Sequence, residues 1–244
     1  MTKFSPRDLR VITTCALGKW LSTSQLQKLC FADLTPDAVR KSLRRLAEAG
    51  CLVSMRQDRM SEAFHGLGRK GKELLASRGL DREVVRKLPE QLEHLAGIND
   101  LRIAVESEPE RVAYFFAAWE LAGISWPYPV LPDAVCRLKL PVPTTFAFEY
   151  DRGTEPLAVL RRKLRMFAGI RNIRIAAVVV IVATPSRIYS LAGGVGGHGD
   201  HAVLATELTQ IRENGVYGPI FHEVWPNRAA GSRSLADVGD GGGL

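Results

Sequence analysis

The sequence predicts an α+β protein of two domains: a basic set of helices closed by a strand hairpin, then a small α/β domain on a mixed sheet. Three observations lead there. Residues 1–80 hold fifteen Lys and Arg against seven Asp and Glu, a balance of +8, whereas the whole chain of 244 residues sums to +7. Apolar residues recur at helical spacing through the first third and give way to strand-like runs beyond residue 110. Between Pro132 and Lys163, two strand candidates and a helix candidate carry a concentration of acids and one well-placed lysine.

Composition narrows the function classes. Hydrophobic residues make up 46% of the chain, as in soluble globular proteins, and the longest apolar run, Ile175 to Ala183, is too short to span a bilayer. Met1-Thr2-Lys3 opens a polar segment without a secretory signal. Cys15, Cys30, Cys51 and Cys136 form no CxxC pair, so they read as reduced core thiols of a cytoplasmic protein rather than a zinc site or disulfide framework. No membrane partner is expected.

In chain order, Ser5 to Trp20 predicts a helix with Leu9, Ile12, Ala16 and Leu17 as its apolar residues. Ser22-Thr23-Ser24 caps a short second helix through Leu26 and Leu29. Thr35-Pro36-Asp37 opens a third: cap, proline at the first position, acid in the first turn. Val39, Leu43, Leu46 and Ala47 form its inner face, and Arg40, Lys41, Arg44 and Arg45 its outer one. Gly50 ends it. Cys51 to Arg56 and Glu62 to Leu67 read as two strands around a turn containing Arg59, and a helix through Leu74 and Leu75 follows. Residues 81–88 read as a charged linker between a first domain, 1–80, and a second, 89–226.

The second domain begins with a helix from Pro89 to Ser107, in which His94 reads as a polar boundary residue. Arg111 to Ala118 is strand-like and ends at Trp119-Glu120, where Glu120 either joins a carboxylate patch or caps a loop. Asp133 to Leu140 and Thr144 to Asp151 then predict a hairpin about Val142. Alternation puts Thr145, Ala147, Glu149 and Asp151 on one face, with Asp133 opposite Asp151 and diagonal to Glu149. Like charges so close need a cation or a proton. Thr154 to Gly169 reads as a helix capped by Thr154, with Leu157, Leu160, Leu164 and Phe167 as its stripe and Lys163 at the stripe's edge, able to bend back to the sheet. Asp133, Glu149, Asp151 and Lys163 are the candidate catalytic residues. Two carboxylates holding Mg²⁺ or Mn²⁺, with a lysine to offset phosphate charge, suit phosphodiester cleavage. The same residue types also serve as loop anchors paired with a lysine.

Ile173 to Ala183 predicts a strand buried on both faces. Thr184-Pro185-Ser186 reads as a turn and cap, Asp200 caps a helix through Leu204, Leu208 and Ile211, and Gly218 to Trp225 is a last strand. The Gly194-x-Gly196-x-x-Gly199 fingerprint lacks a clear preceding strand and a following acid, so it reads as a flexible loop; His198 and His201 with Asp200 make a weak metal signal. Residues 227–244 are Gly-, Ser- and Asp-rich and read as a disordered tail.

Three helices and a hairpin with a basic third helix resemble the winged helix-turn-helix plan, and Leu43-x-x-Leu46-x-x-x-Gly50-x-Leu52-Val53 resembles its transition from recognition helix to wing. That resemblance implies double-stranded DNA as partner, contacted by Arg40, Lys41, Arg44 and Arg45 in a major groove and by Arg56 and Arg59 from the wing. Over residues 5 to 225, the order of this unit, His94 and Asn99, Trp119-Glu120, Pro132-Asp133-Ala134, Phe148-Glu149-Tyr150-Asp151-Arg152-Gly153-Thr154-Glu155 and Lys163-Leu164 is similar to the replication-relaxation family. The second half resembles the PD-(D/E)xK nuclease core, in which Asp133 and Glu149 match the two metal-binding acids, Asp151 stands where the motif has lysine, and Lys163 replaces it from the helix. The resemblances imply a DNA-binding accessory factor or regulator in replication, mobilisation or maintenance of a plasmid or other mobile element, working as a homodimer with relaxase or replication proteins. The alternative is a metal-dependent nuclease that nicks or cleaves DNA through Asp133, Glu149 and Lys163.

Overall fold

The structure is a computed structural model that describes residues 4–123, 126, 130–168, 175–192, 201–225 and 231–239. The protein is α+β, with helices and a mixed sheet, and its chain forms two compact units, Met1–Asn99 and Asp100–Leu244. Among the described residues no helix is long and apolar enough to cross a membrane.

In the first unit, α1 (Pro6–Gly18) is capped reciprocally: Ser5 Oγ accepts from Asp8 N, and Asp8 Oδ2 accepts from Ser5 N. The helix stops two residues earlier than its periodicity predicts. Lys19 reverses the chain at φ 59°, and Trp20–Ser22 becomes a short strand, β1, that pairs antiparallel with β3 (Phe64–Leu67). Three residues are too few to show a strand period, so only the pairing reveals β1. Ser22 then caps α2 (Thr23–Cys30) in a box with Gln25, and Thr35 caps α3 (Pro36–Glu48) with proline at its first position, both as the sequence predicts.

Val11, Ile12, Leu26, Val39, Leu43 and Leu46 close the core of these helices, each at most 1% exposed. Gly50, at φ 73°, turns the chain into β2 (Leu52–Met55), and the three strands form a sheet in the order β1-β3-β2. After β3 comes α4 (Arg69–Ala76). The segment 81–88, expected as a linker, packs on this unit: Trp20 Nε1 donates to the Lys87 carbonyl at 3.0 Å. The unit division falls inside α5 (Leu92–Val105), whose Asn99 donates to the Gly18 and Trp20 carbonyls.

The second unit is built on a seven-stranded sheet. Its strands are β4 (Val112–Ala117), β5 (Ala134–Leu138), β6 (Thr144–Asp151), β7 (Ala177–Val182), β8 (Ala202–Glu207), β9 (Phe221–Trp225) and β10 (Ser232–Arg233). Its helices are α6 (Ala118–Leu121), α7 (Leu157–Ala168), α8 (Pro185–Ala192), α9 (Leu208–Asn214) and α10 (Leu235–Gly239). The order is β10-β9-β8-β7-β6-β5-β4, with β6, β7 and β8 parallel and the other neighbours antiparallel. Two parallel crossovers of the same hand, stepping in one direction, put their helices on one face. Accordingly Leu160, Leu164 and Phe167 of α7 and Leu191 of α8 pack on Ala147, Val178, Val180 and Val203.

Four expectations are corrected here. The helix expected from Asp200 through Ile211 is instead strand β8 followed by α9. Leu204 and Leu208 happen to fit a helical spacing, but a strand between β7 and β9 buries both faces of Val203–Thr206. Thr184-Pro185-Ser186, expected as a turn and cap, leads into a helix over Pro185–Ala192 that the sequence did not reveal, since the parallel step from β7 to β8 needs a crossover. The helix expected from Thr154 starts at Leu157, where the Pro156 carbonyl accepts the first helical bonds. Within the tail expected to be disordered, Ser232–Arg233 pairs with Phe221–His222 and α10 follows. The glycine fingerprint with His198 and Asp200, the first two residues of the strand expected from Ile173, Gly169, and residues 227–230 and 240–244 of the tail lie outside the described residues.

Candidate functional site

Two clusters stand out, one in each unit. In the first unit, the stripe of Val39, Leu43 and Leu46 anchors α3 and turns Arg40, Lys41 and Arg44 to solvent, beside the β2–β3 hairpin. Arg40 pairs with Asp37 of its own first turn, and Arg44 lies 3.8 Å from Glu48. Arg45 departs from the sequence expectation. Its guanidinium bonds Asp8 of α1, so it ties two helices together instead of joining the basic face. Burial opposes ionisation of Asp8, but Ser5 and Arg45 hold its carboxyl below the usual range. At the hairpin tip, Asp58 Oδ1 accepts from Met60 N and Ser61 N at 2.8 Å each, Arg56 donates to the Ser61 carbonyl, and Arg59 is exposed. Between hairpin and helix, His65 is buried against Ser54 and Thr23.

In the second unit, strand alternation puts Glu149 and Asp151 on the face covered by α7 and α8, and both are buried. The register differs from the expected one. The last pair of the hairpin is Leu138↔Thr144, so the turn centres on Pro141 rather than Val142. One step beyond Ala134↔Phe148, Asp133 therefore faces Glu149, not Asp151. Pro141 and Pro143 have no N–H to donate, and Thr144 Oγ1 bonds back to the Val142 carbonyl at 2.6 Å, which ends the ladder there. Asp133 Oδ2 accepts from Tyr150 N at 2.8 Å.

Lys163 turns back from α7 to the sheet, as its edge position predicts, and its ammonium donates to Glu149 Oε2. Glu149 is 3% exposed, and its Oε1 is buried without a hydrogen-bond partner. Burial, reinforced by the like charge of Asp133, pushes the Glu149 carboxyl up to about 8 against the pull of Lys163. Burial alone would lower the Lys163 ammonium, but the Glu149 and Asp133 carboxylates outweigh it and hold it above the usual range. Two acids thus share one cation.

Asp151 is drawn into a separate set. Its Oδ2 accepts from Arg187 Nε at 2.5 Å and its Oδ1 from Gly153 N at 2.8 Å, while Arg187 also donates to the Glu155 carbonyl. The sequence reading missed Arg187 because it missed α8. The available signal was a basic residue two positions after Pro185, at the end of a strand parallel to the one ending in Asp151. Glu120 caps α6 by accepting from Ala117 N and pairs with Arg102, so it stands apart from the acid pair. Among the described residues, no group of three or more His, Cys, Asp or Glu is disposed to hold a metal ion.

A family model described as replication-relaxation matches residues 16–177, from within α1 to the start of β7. That span includes the basic face of α3 and the residues Asp133, Glu149, Asp151 and Lys163, but not Arg187. No curated protein and no solved structure matches the chain.

Proposed function

The chain belongs to the replication-relaxation family, and from that premise we propose that it is a duplex-DNA-binding accessory factor or regulator. Membership points to replication or mobilisation of a plasmid or other mobile element; relaxase or replication proteins are the companions we infer for such a role. The first unit is read as a winged helix: α1, β1, α2, α3 and the β2–β3 hairpin follow that order, α3 enters a major groove, and the hairpin is the wing. The observation that carries this reading is the exposed row Arg40, Lys41 and Arg44 on a helix anchored by its other face, next to the arginines of the hairpin.

The test replaces Arg40, Lys41 and Arg44 together by alanine, leaving Arg45 in place because Asp8 holds it. Duplex affinity at low salt should fall by roughly 2–4 kcal/mol, and the slope of log affinity on log salt should flatten by about 0.9 for each phosphate no longer neutralised. Unchanged binding overturns the reading.

The second unit is read as a nuclease-like core put to assembly. The antiparallel strands β4, β5 and β6, helix α7 and the parallel strand β7 support this reading, since they follow in the order expected of such a core. Its acids are already engaged, Glu149 by Lys163 and Asp151 by Arg187. One observation favours a second reading, metal-dependent DNA cleavage: Glu149 Oε1, buried and unpartnered, belongs to the acid opposite Asp133. Asp133 and Glu149 would then hold Mg²⁺ or Mn²⁺, which when bound supplies an activated water and polarises the phosphate. Lys163 stands where it offsets negative charge.

A further inference from the structure

Between α3 and the β2–β3 hairpin lies a concavity of about 540 Å³. Arg40, Lys41 and Arg44 line it from the helix side and Arg56 from the hairpin side; Asp37, also on its rim, is already paired with Arg40. His65 lies at its base, only 5% exposed. The imidazole bridges two hydroxyls: Nε2 is 2.9 Å from Thr23 Oγ1, and Nδ1 is 2.8 Å from Ser54 Oγ. Thr23 Oγ1 also lies 3.3 Å from the Ala63 carbonyl.

Burial, with help from the Arg56 charge, lowers the His65 pKa to about 4, so the ring is neutral at ordinary pH. A neutral imidazole has one donor and one acceptor nitrogen, and the three-group chain therefore has a direction. If Thr23 donates to Ala63, the ring donates to Thr23 and Ser54 spends its proton on Nδ1. Ser54 then offers only lone pairs to a rim of cations. If Thr23 instead takes its shorter contact and donates to Nε2, Nδ1–H donates to Ser54 Oγ. The Ser54 proton is then free to point into the concavity. Only the second arrangement presents four cations and one neutral donor to the same space, which is what a phosphodiester oxygen needs.

We propose that this concavity seats one backbone phosphate of the DNA strand passing between α3 and the hairpin, with Ser54 donating to its oxygen. His65 is the positioning residue, holding the Ser54 hydroxyl in place through the hydrogen bond it receives from Thr23. The assignment rests on the winged-helix reading of the first unit, and it names a neutral contact within the charged footprint.

The test uses the full chain with a mixed-sequence duplex, over a series of salt concentrations. Ser54→Ala, a change at an exposed hydroxyl, should lower affinity about tenfold, the worth of a hydrogen bond to a charged group. Because serine releases no counterion, the salt slope should stay at the wild-type value, unlike the arginine variants. His65→Leu should reproduce the loss, and His65→Asn, whose amide can replace the Nδ1 donor, should restore most of it. Nitrogen-15 NMR of the free chain should show the proton on Nδ1 of His65. Wild-type affinity in Ser54→Ala, when the Arg40, Lys41 and Arg44 triple variant has lost binding, overturns the phosphate seat and leaves the DNA reading standing. A proton on Nε2 overturns the relay. If Ser54→Ala loses binding of inorganic phosphate but keeps the duplex, the seat takes a free anion and the proposal fails. Wild-type duplex affinity in the triple variant removes the DNA reading itself.

Discussion

At Glu149, burial and a neighbouring acid outweigh the pull of a paired lysine. Moving a carboxylate out of water costs several kcal/mol, and Asp133 adds repulsion; Lys163 returns part of this through a charge-assisted hydrogen bond. Oε1 gets nothing from the protein. Removing the lysine should therefore cost more than removing the acid's charge. Lys163→Met should destabilise the second unit by roughly 2–3 kcal/mol, towards the low end for a buried pair because the ammonium is partly exposed. Glu149→Gln should cost less, and the double variant should be more stable than Lys163→Met alone. Denaturant unfolding of the four proteins of this cycle measures the coupling; additive effects would mean that the pair contributes nothing.

At the scale of elements, the helices of the first unit follow local chemistry and the close approaches between them do not. The Ser22 cap and the Thr35-Pro36 start lie where the sequence puts them because a cap acts within four residues, and the boxes of Ser5 with Asp8 and Ser22 with Gln25 are equally local. Helix α4 shows the limit. Gly71 lies in its first turn, where alanine would ordinarily gain about 1 kcal/mol in helix propensity. A Cβ there would sit 2.4 Å from the Cys51 carbonyl and 2.8 Å from Leu67 Cδ1, and a backbone oxygen cannot move aside cheaply. Overpacking costs typically 1–3 kcal/mol, so the steric term wins. Gly71→Ala should lower the thermal midpoint; an increase would show that α4 can lift from β2 without penalty.

For the whole molecule, the choice between assembly factor and nuclease turns on whether the acid pair accepts a metal ion in place of an ammonium. In the proposed assembly role, the wild-type chain leaves supercoiled, linear and single-stranded DNA intact with Mg²⁺ or Mn²⁺ present, and these ions shift its melting temperature little. Lys163→Met, which takes the ammonium away from Asp133 and Glu149, should gain stability from Mn²⁺ in proportion to the logarithm of its concentration once sites fill. Cleavage by the wild type that disappears in Glu149→Gln would establish the second reading.

Much of this protein was legible in its residues. The lopsided charge, the caps, the inward stripe of α3, the shared face of Glu149 and Asp151 and the edge position of Lys163 all follow from periods and interactions within a few residues. What the residues left undetermined are partnerships across the chain. A hairpin slipped by two residues keeps every side chain on its face, so alternation could not say whether Asp133 meets Asp151 or Glu149. Ala202–Glu207 fits a strand or part of a helix until β7 and β9 flank it. Arg45 reads as one more cation on a basic face until Asp8 lies beside it, and Arg187 has no role until a parallel crossover sets it against Asp151. Local chemistry selected the elements and their faces; only tertiary pairing, which joins residues far apart in sequence, decided which charges meet.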